Sequence, residues 1–134
     1  MGTWGTNNFE NDTAADWIIG FEENPTAVFL LETIQHVFNE DYLDTDISCE
    51  ALAAIEVIAA VKKHPAVDFS ELPTVDIDLL TPYIDQPLLN AAQKAIERIT
   101  SEADNEIYEL WKDSNNLGEW LAVQESLSQR LTAQ

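Results

Sequence analysis

The sequence predicts an all-α fold: a compact bundle of about five to six helices with an ordered N-terminal arm and a proline-containing crossover. Three observations carry this. Apolar residues recur every three to four positions over most of the chain, which places them on one face of a helix. Capping-box-like pairs, a Ser, Thr or Asn followed three positions later by a carboxylate, stand before three of these runs. The chain has 134 residues, 46% of them hydrophobic, which suits one domain able to bury roughly two-thirds of its unfolded surface.

Residues 1–17, MGTWGTNNFENDTAADW, form the arm. Gly2 and Gly5 permit backbone shapes closed to other residues. Trp4 and Phe9 are large apolar groups expected to fold back and plug a gap in the bundle; the alternative is an exposed aromatic recognition arm. Asn11 and Asp12 turn the chain into a first helix over 12–23. There Thr13 and Asp16 fit a capping box, and Ala14, Trp17, Ile18 and Phe21 share one stripe. Asn24-Pro25 predicts the next helix start, because proline lacks an N–H where none could be paired. Val28, Leu31, Ile34, Phe38 and Tyr42 continue its stripe until the acidic run 39–46.

A third helix spans 48–63 with Ser48 as cap. Its many alanines allow close approach, so it belongs at the centre, and Cys49 reads as a small buried hydrophobe. Lys62 and Lys63 favour the negative end of the helix dipole, and His64-Pro65 stops it. The segment 64–86 keeps no clean period and reads as an ordered crossover, with one helical turn near 76–83. Its apolar residues Val67, Phe69, Leu72, Val75, Ile77, Leu79 and Leu80 distinguish it from a free tether. A fourth helix follows over 87–100, and Ser101 with Asp104 marks a new start. A fifth helix over 102–113 turns Ile107, Leu110 and Trp111 inward. Asn116 with Glu119 opens the last, over 117–131. Short connections favour antiparallel packing.

Charge sets the function classes. There are 25 acidic residues against six basic, a net charge of −19. Nucleic acid is excluded, because phosphate contacts need Lys and Arg, and anionic membranes are disfavoured on the same ground. The longest apolar stretch, Ala51 to Val61, contains Glu56 and is too short to span a bilayer. No basic segment precedes an apolar run at the start, so the cytoplasm is the expected location. A basic protein is the partner that fits. The candidate contacts are the acidic runs Glu40, Asp41, Asp44, Asp46 and Glu102, Asp104, Glu106, Glu109. Solubility alone is the competing account of the acidity.

Chemistry finds little footing, and no catalytic, cofactor-binding or metal-ligating residue is assigned. There is no G-x-S-x-G elbow and no Gly-rich loop before a helix. His36 and His64 each have a local structural role, and a Cys49–His pair across helices, though geometrically possible, is disfavoured. Asp44-x-Asp46-x-Ser48 begins like a calcium loop, but Cys49 replaces the sixth-position glycine and Ile55 the twelfth-position glutamate. Glu56 is the carboxylate in an odd place, on an apolar helix face; a core ion pair with Arg98 or Lys94 is expected. Asp16 and Glu50 read as helix-start charges.

The pattern Gly2-x-Trp4-Gly5-x-x-x-Phe9-x-Asn11-Asp12-x-Ala14-x-Asp16-Trp17 resembles the start of a bacterial family known only as domain of unknown function number four-two-five-nine. The segment Glu50-Ala51-Leu52-Ala53-Ala54-x-Glu56 is similar to it too, as are Glu109-Leu110-Trp111 and Glu119-Trp120. Glycine is common in the family where Asn7 or Asn8 stands here. The resemblance implies a compact bacterial domain and brings no activity, substrate or cofactor.

The expected function is therefore a non-enzymatic, acidic protein-binding domain, of the immunity-protein, inhibitor or nucleic-acid-mimic kind, that captures a basic protein. One rival is an enzyme or small-ligand binder with a pocket under the arm lined by Trp4, Phe9, Asp12, Asp16 and Trp17. A regulatory or housekeeping domain is the other.

Overall fold

The computed structural model describes residues 5–66 and 76–133. Gly2, Trp4 and the crossover residues Val67, Phe69, Leu72 and Val75 lie outside the described residues, so the placements expected for them are not decided. Six α-helices are seen: α1 Asp12–Glu23, α2 Ala27–Gln35, α3 Thr45–Val61, α4 Gln86–Ile99, α5 Glu106–Asp113 and α6 Leu117–Thr132. Two 3-10 segments, His36–Phe38 and Ile77–Tyr83, bring the helical pieces slightly above five to six. The second lies where a turn near 76–83 was expected. Among the described residues the only extended pairing is a single parallel bridge between Leu43 and Asn105, so the protein is all-α.

The packing is organised around α3. Cys49 and every residue from Ala51 to Val61 are buried, Glu56 included. A helix apolar all round must be surrounded, and α1, α2, α4, α5 and α6 all pack on it. Its alanines at 51, 53, 54, 59 and 60 let those neighbours come close. Trp17, Phe21 and Phe29 form a three-ring cluster, with the Trp17 centroid 5.5 and 5.7 Å from the two phenyl rings and those 6.4 Å from each other. Its Nε1 donates to Thr33 Oγ1 at 3.1 Å, which fastens α1 to α2.

Helix starts differ from the expected capping boxes in a consistent way. Asn11, not Thr13, caps α1, accepting from Ala14 N at 2.8 Å; Thr13 instead donates to Asp46 at 2.9 Å. Thr26 caps α2, so Pro25 precedes the helix and does not open it. Asp44 caps α3, starting it three residues before Ser48, whose hydroxyl donates back to Asp44 O. Asn105 caps α5, and Ser101 only closes α4 by donating to Glu97 O. At α6 the side chain of Asn116 makes no capping bond. At α1, α3 and α5 an Asn or Asp takes the free N–H group where Thr13, Ser48 and Ser101 were expected to, while at α2 Thr26 takes it.

The stripe expected on α2 also shifts. Leu30, Thr33, Ile34 and Val37 are buried, while Val28 is 65% exposed and Phe38 and Tyr42 are exposed as well. Tightening from α to 3-10 geometry after Gln35 rotates the inward face by part of a turn. At its other end α3 closes with Lys63 in the left-handed region at φ 73. His64 N bonds Ala59 O and Lys63 N bonds Ala60 O, both at 2.9 Å, the paired arrangement that satisfies last-turn carbonyls.

Candidate functional site

The two acidic runs meet. Leu43 N donates to Asp104 O at 2.8 Å and Glu106 N donates to Leu43 O at 2.9 Å. Thr45 N then donates to Glu106 Oε1 at 2.8 Å, and Tyr42 OH donates to Glu109 Oε2 at 3.2 Å. Asn105 holds the joint from beneath. It is fully buried; its amide donates to Ile99 O at 2.6 Å and Ser101 O at 2.7 Å, and its Oδ1 accepts from Tyr108 N. One side chain thus ties the end of α4 to the start of α5. The run that holds Glu40, Asp41, Asp44 and Asp46 is thereby joined at Leu43 to the run that holds Glu102, Asp104, Glu106 and Glu109, with Glu109 and Glu106 bonded to Tyr42 and Thr45; the joined segments make up an acidic ridge.

The bases within this ridge are engaged locally. Lys112 pairs with Glu102 at 2.7 Å, and Arg98 donates to the carbonyls of Ala103 and Asp104. Electrostatics follow from crowding. Burial, then the carboxylates of Asp46 and Asp44, push Glu50 up, with His36 opposing. Partial desolvation and Glu109, with Glu106 and Asp104, raise the Tyr42 phenol. Glu106 is the exception: the Thr45 N–H, then the Thr45 hydroxyl, hold its carboxyl below the ordinary range. Asp12 and Asp16 are exposed on α1, and the α1 contact of Asp46 is the bond it accepts from Thr13.

A cavity of about 60 Å³ lies between the arm and the bundle. The arm contributes Gly5 to Asn8 and Asn11, α3 contributes Thr45, Cys49 and Leu52, and Ile107, Leu110, Trp111, Ser114 and Trp120 close the far side. This corrects the expected lining. Phe9 is 7% exposed and belongs to the core, Trp17 faces α2, and Asp12 and Asp16 point to solvent. Burial first, and then Asp46, Glu50 and Asp44, push the Cys49 thiol up to about 12, so it is a neutral, apolar wall. Thr45 Oγ1 is buried and makes no hydrogen bond of normal geometry, although it lies near enough to Glu106 to help lower that carboxyl.

Beneath the arm sits a buried polar lock. Glu56 is 1% exposed and pairs with Arg130 of α6, not with Arg98 or Lys94 of α4. Arg98 is committed to the α4–α5 loop, and Lys94 is exposed. Arg130 NH1 donates to Glu56 Oε1 at 2.8 Å and to His64 O at 3.1 Å, and NH2 to Glu56 Oε2 at 3.2 Å. Asn8 donates to Glu56 Oε2 at 2.8 Å and to Gln124 Oε1 at 3.0 Å, and accepts from Gln124 Nε2 at 2.8 Å. Sequence reasoning missed Asn8, Gln124 and Arg130. The available signal was that α6 carries one base, Arg130, and that Glu56 is the one charge within the apolar stretch Ala51 to Val61.

Among the described residues no three His, Cys, Asp or Glu side chains converge to hold a metal ion, and no helix is long and apolar enough to cross a membrane. Fold and site define a small all-α acidic domain with a cavity between its N-terminal arm and the helices. Residues 2–123 match the family described as "Domain of unknown function (DUF4259)", and the chain belongs to that family. No curated protein and no solved structure matches it.

Proposed function

We propose that this is a non-enzymatic cytoplasmic domain that captures a basic protein on its acidic ridge, as an immunity protein, an inhibitor or a nucleic-acid mimic would. The observation that supports the reading is the Leu43–Asn105 joint, which ties together the backbones of two acidic runs far apart in sequence. Lys112 offsets only part of that charge. Clustered carboxylates speed encounter with a cation-rich surface and discriminate against acidic ones. Exposed charges act over about 8 Å at physiological salt, so association should slow steeply as salt rises.

The test is recovery of the partner from the native host, then binding kinetics at low and high salt. A triple variant, Glu40→Lys, Asp41→Lys and Glu109→Lys, changes exposed residues that cap no helix. It should slow association by roughly tenfold or more and alter dissociation less. An acidic partner, or an association rate indifferent to salt and to these substitutions, overturns the reading. A small-ligand function has one observation in its favour, the enclosed cavity behind the ridge.

A further inference from the structure

We infer that this cavity is a socket for one aliphatic side chain, of leucine or methionine size, which the basic partner presents between lysines or arginines. The inference rests on the capture reading and adds what the ridge surrounds.

Cavity and ridge are interleaved residue by residue. Thr45 lines the cavity between Asp44 and Asp46; Ile107 follows Glu106, and Leu110 follows Glu109. Helix and turn geometry sends the apolar member inward and its acidic neighbour outward, so a side chain entering the socket passes carboxylates. Charge complementarity therefore selects an anchor with cationic flanks. A second copy of this chain, at −19, is repelled by the same charge.

The walls select an apolar group. Leu52, Ile107 and Trp120 are buried, and the neutral thiol of Cys49 adds no charge. Several polar groups of the lining are already engaged: Asn11 holds Ala14 N, Asn8 holds Glu56 and Gln124, and across the cavity the Ser114 hydroxyl donates to Trp111 O, while Thr45 Oγ1 is the buried hydroxyl left for an entering group. A polar metabolite would find few partners and lose its hydration. At about 60 Å³ the space takes about four to six water-sized groups, close to the four carbons of a leucine side chain. A desolvated pocket ringed by polar groups is the usual setting of an interface hot spot.

The probes are short peptides of equal charge, Lys-Arg-Leu-Arg-Lys and Lys-Arg-Ser-Arg-Lys, titrated onto the full chain at low and physiological salt. A neutral Ser-Gly-Leu-Gly-Ser peptide serves as control. Burial of the leucine should tighten binding roughly tenfold or more over serine, and the difference should persist at high salt. Tryptophan emission should change with the leucine peptides alone. Ser114→Phe, which fills the cavity from an exposed position, should abolish the difference between the two basic peptides. The comparison on the unsubstituted chain decides the matter even if that variant folds poorly.

Equal, salt-sensitive binding of both basic peptides overturns the socket and leaves the capture reading standing. Neutral leucine peptide binding as tightly as the basic one shows an apolar site without cationic preference, and overturns the inference together with the basic partner. Discrimination that appears only in Trp4→Ala assigns the cavity to the chain's own arm and overturns it as well.

Discussion

Replacing Arg130 by methionine tests the buried lock. The substitution keeps the aliphatic stem and removes the guanidinium. Glu56, 1% exposed and the only charged residue among the buried ones of α3, is then left with Asn8 as its partner. Breaking a buried pair on one side costs about 3–5 kcal/mol. Arg130 keeps 20% of its side chain in water, so part of the attraction is screened and the lower end, about 3 kcal/mol, applies. The lost bond to His64 O adds about 1 kcal/mol. Against a total stability of about 5–15 kcal/mol, this should lower the melting temperature by roughly 10–15 °C. Urea denaturation should show a lower midpoint with an unchanged slope. In the double variant Glu56→Leu, Arg130→Met the unpaired charge is gone, and Asn8 retains Gln124. That protein should recover to within about 2 kcal/mol of the parent. A loss below about 1 kcal/mol for Arg130→Met, or no recovery in the double variant, refutes the reasoning.

Three further outcomes are expected. Asn105→Ala should cost about 2–3 kcal/mol, because it removes a cap and strips partners from buried carbonyls, and hydrogen exchange should quicken at the amides of Leu43 and Glu106. The Cys49 thiol, pushed up to about 12, should resist disulfide reagents at pH 8 until the protein unfolds; prompt stoichiometric labelling would contradict its burial. Glu50→Gln should stabilise the protein at pH 7. The Glu50 pKa is raised in the fold, so its contribution is favourable below the ordinary glutamate pKa and is lost as pH rises through the folded value. The gain from glutamine should therefore fade on acidification, and a gain that grows toward low pH would reverse the assignment.

The all-α architecture was legible because helical spacing repeats along the chain, and the place of α3 because its alanines and branched residues surround it on every side. Boundaries were less legible where Ser or Thr stands near Asn or Asp. Thr13, Ser48 and Ser101 each look like a cap, and only the folded backbone shows that Asn11, Asp44 and Asn105 reach the free N–H groups. Each acidic run was visible alone. Their meeting was not, because Thr45 and Glu106 are 61 residues apart and no local pattern marks such a pair. Likewise Glu56 was conspicuous, but its partner lies 74 residues on, and a search confined to the bases of α4 missed it.

The lock also orders the events of synthesis. Asn8 and Gln124 are separated by 116 residues, and the carboxylate they share space with lies at position 56. During synthesis a domain folds as a unit. In this protein α3 is made early carrying a carboxylate whose guanidinium partner lies in α6. The arm lacks its Gln124 partner until α6 is available, so the final closure of the domain waits for that helix. A fragment ending before position 124 should accordingly be protease-sensitive at its arm, and the full chain should be more resistant there.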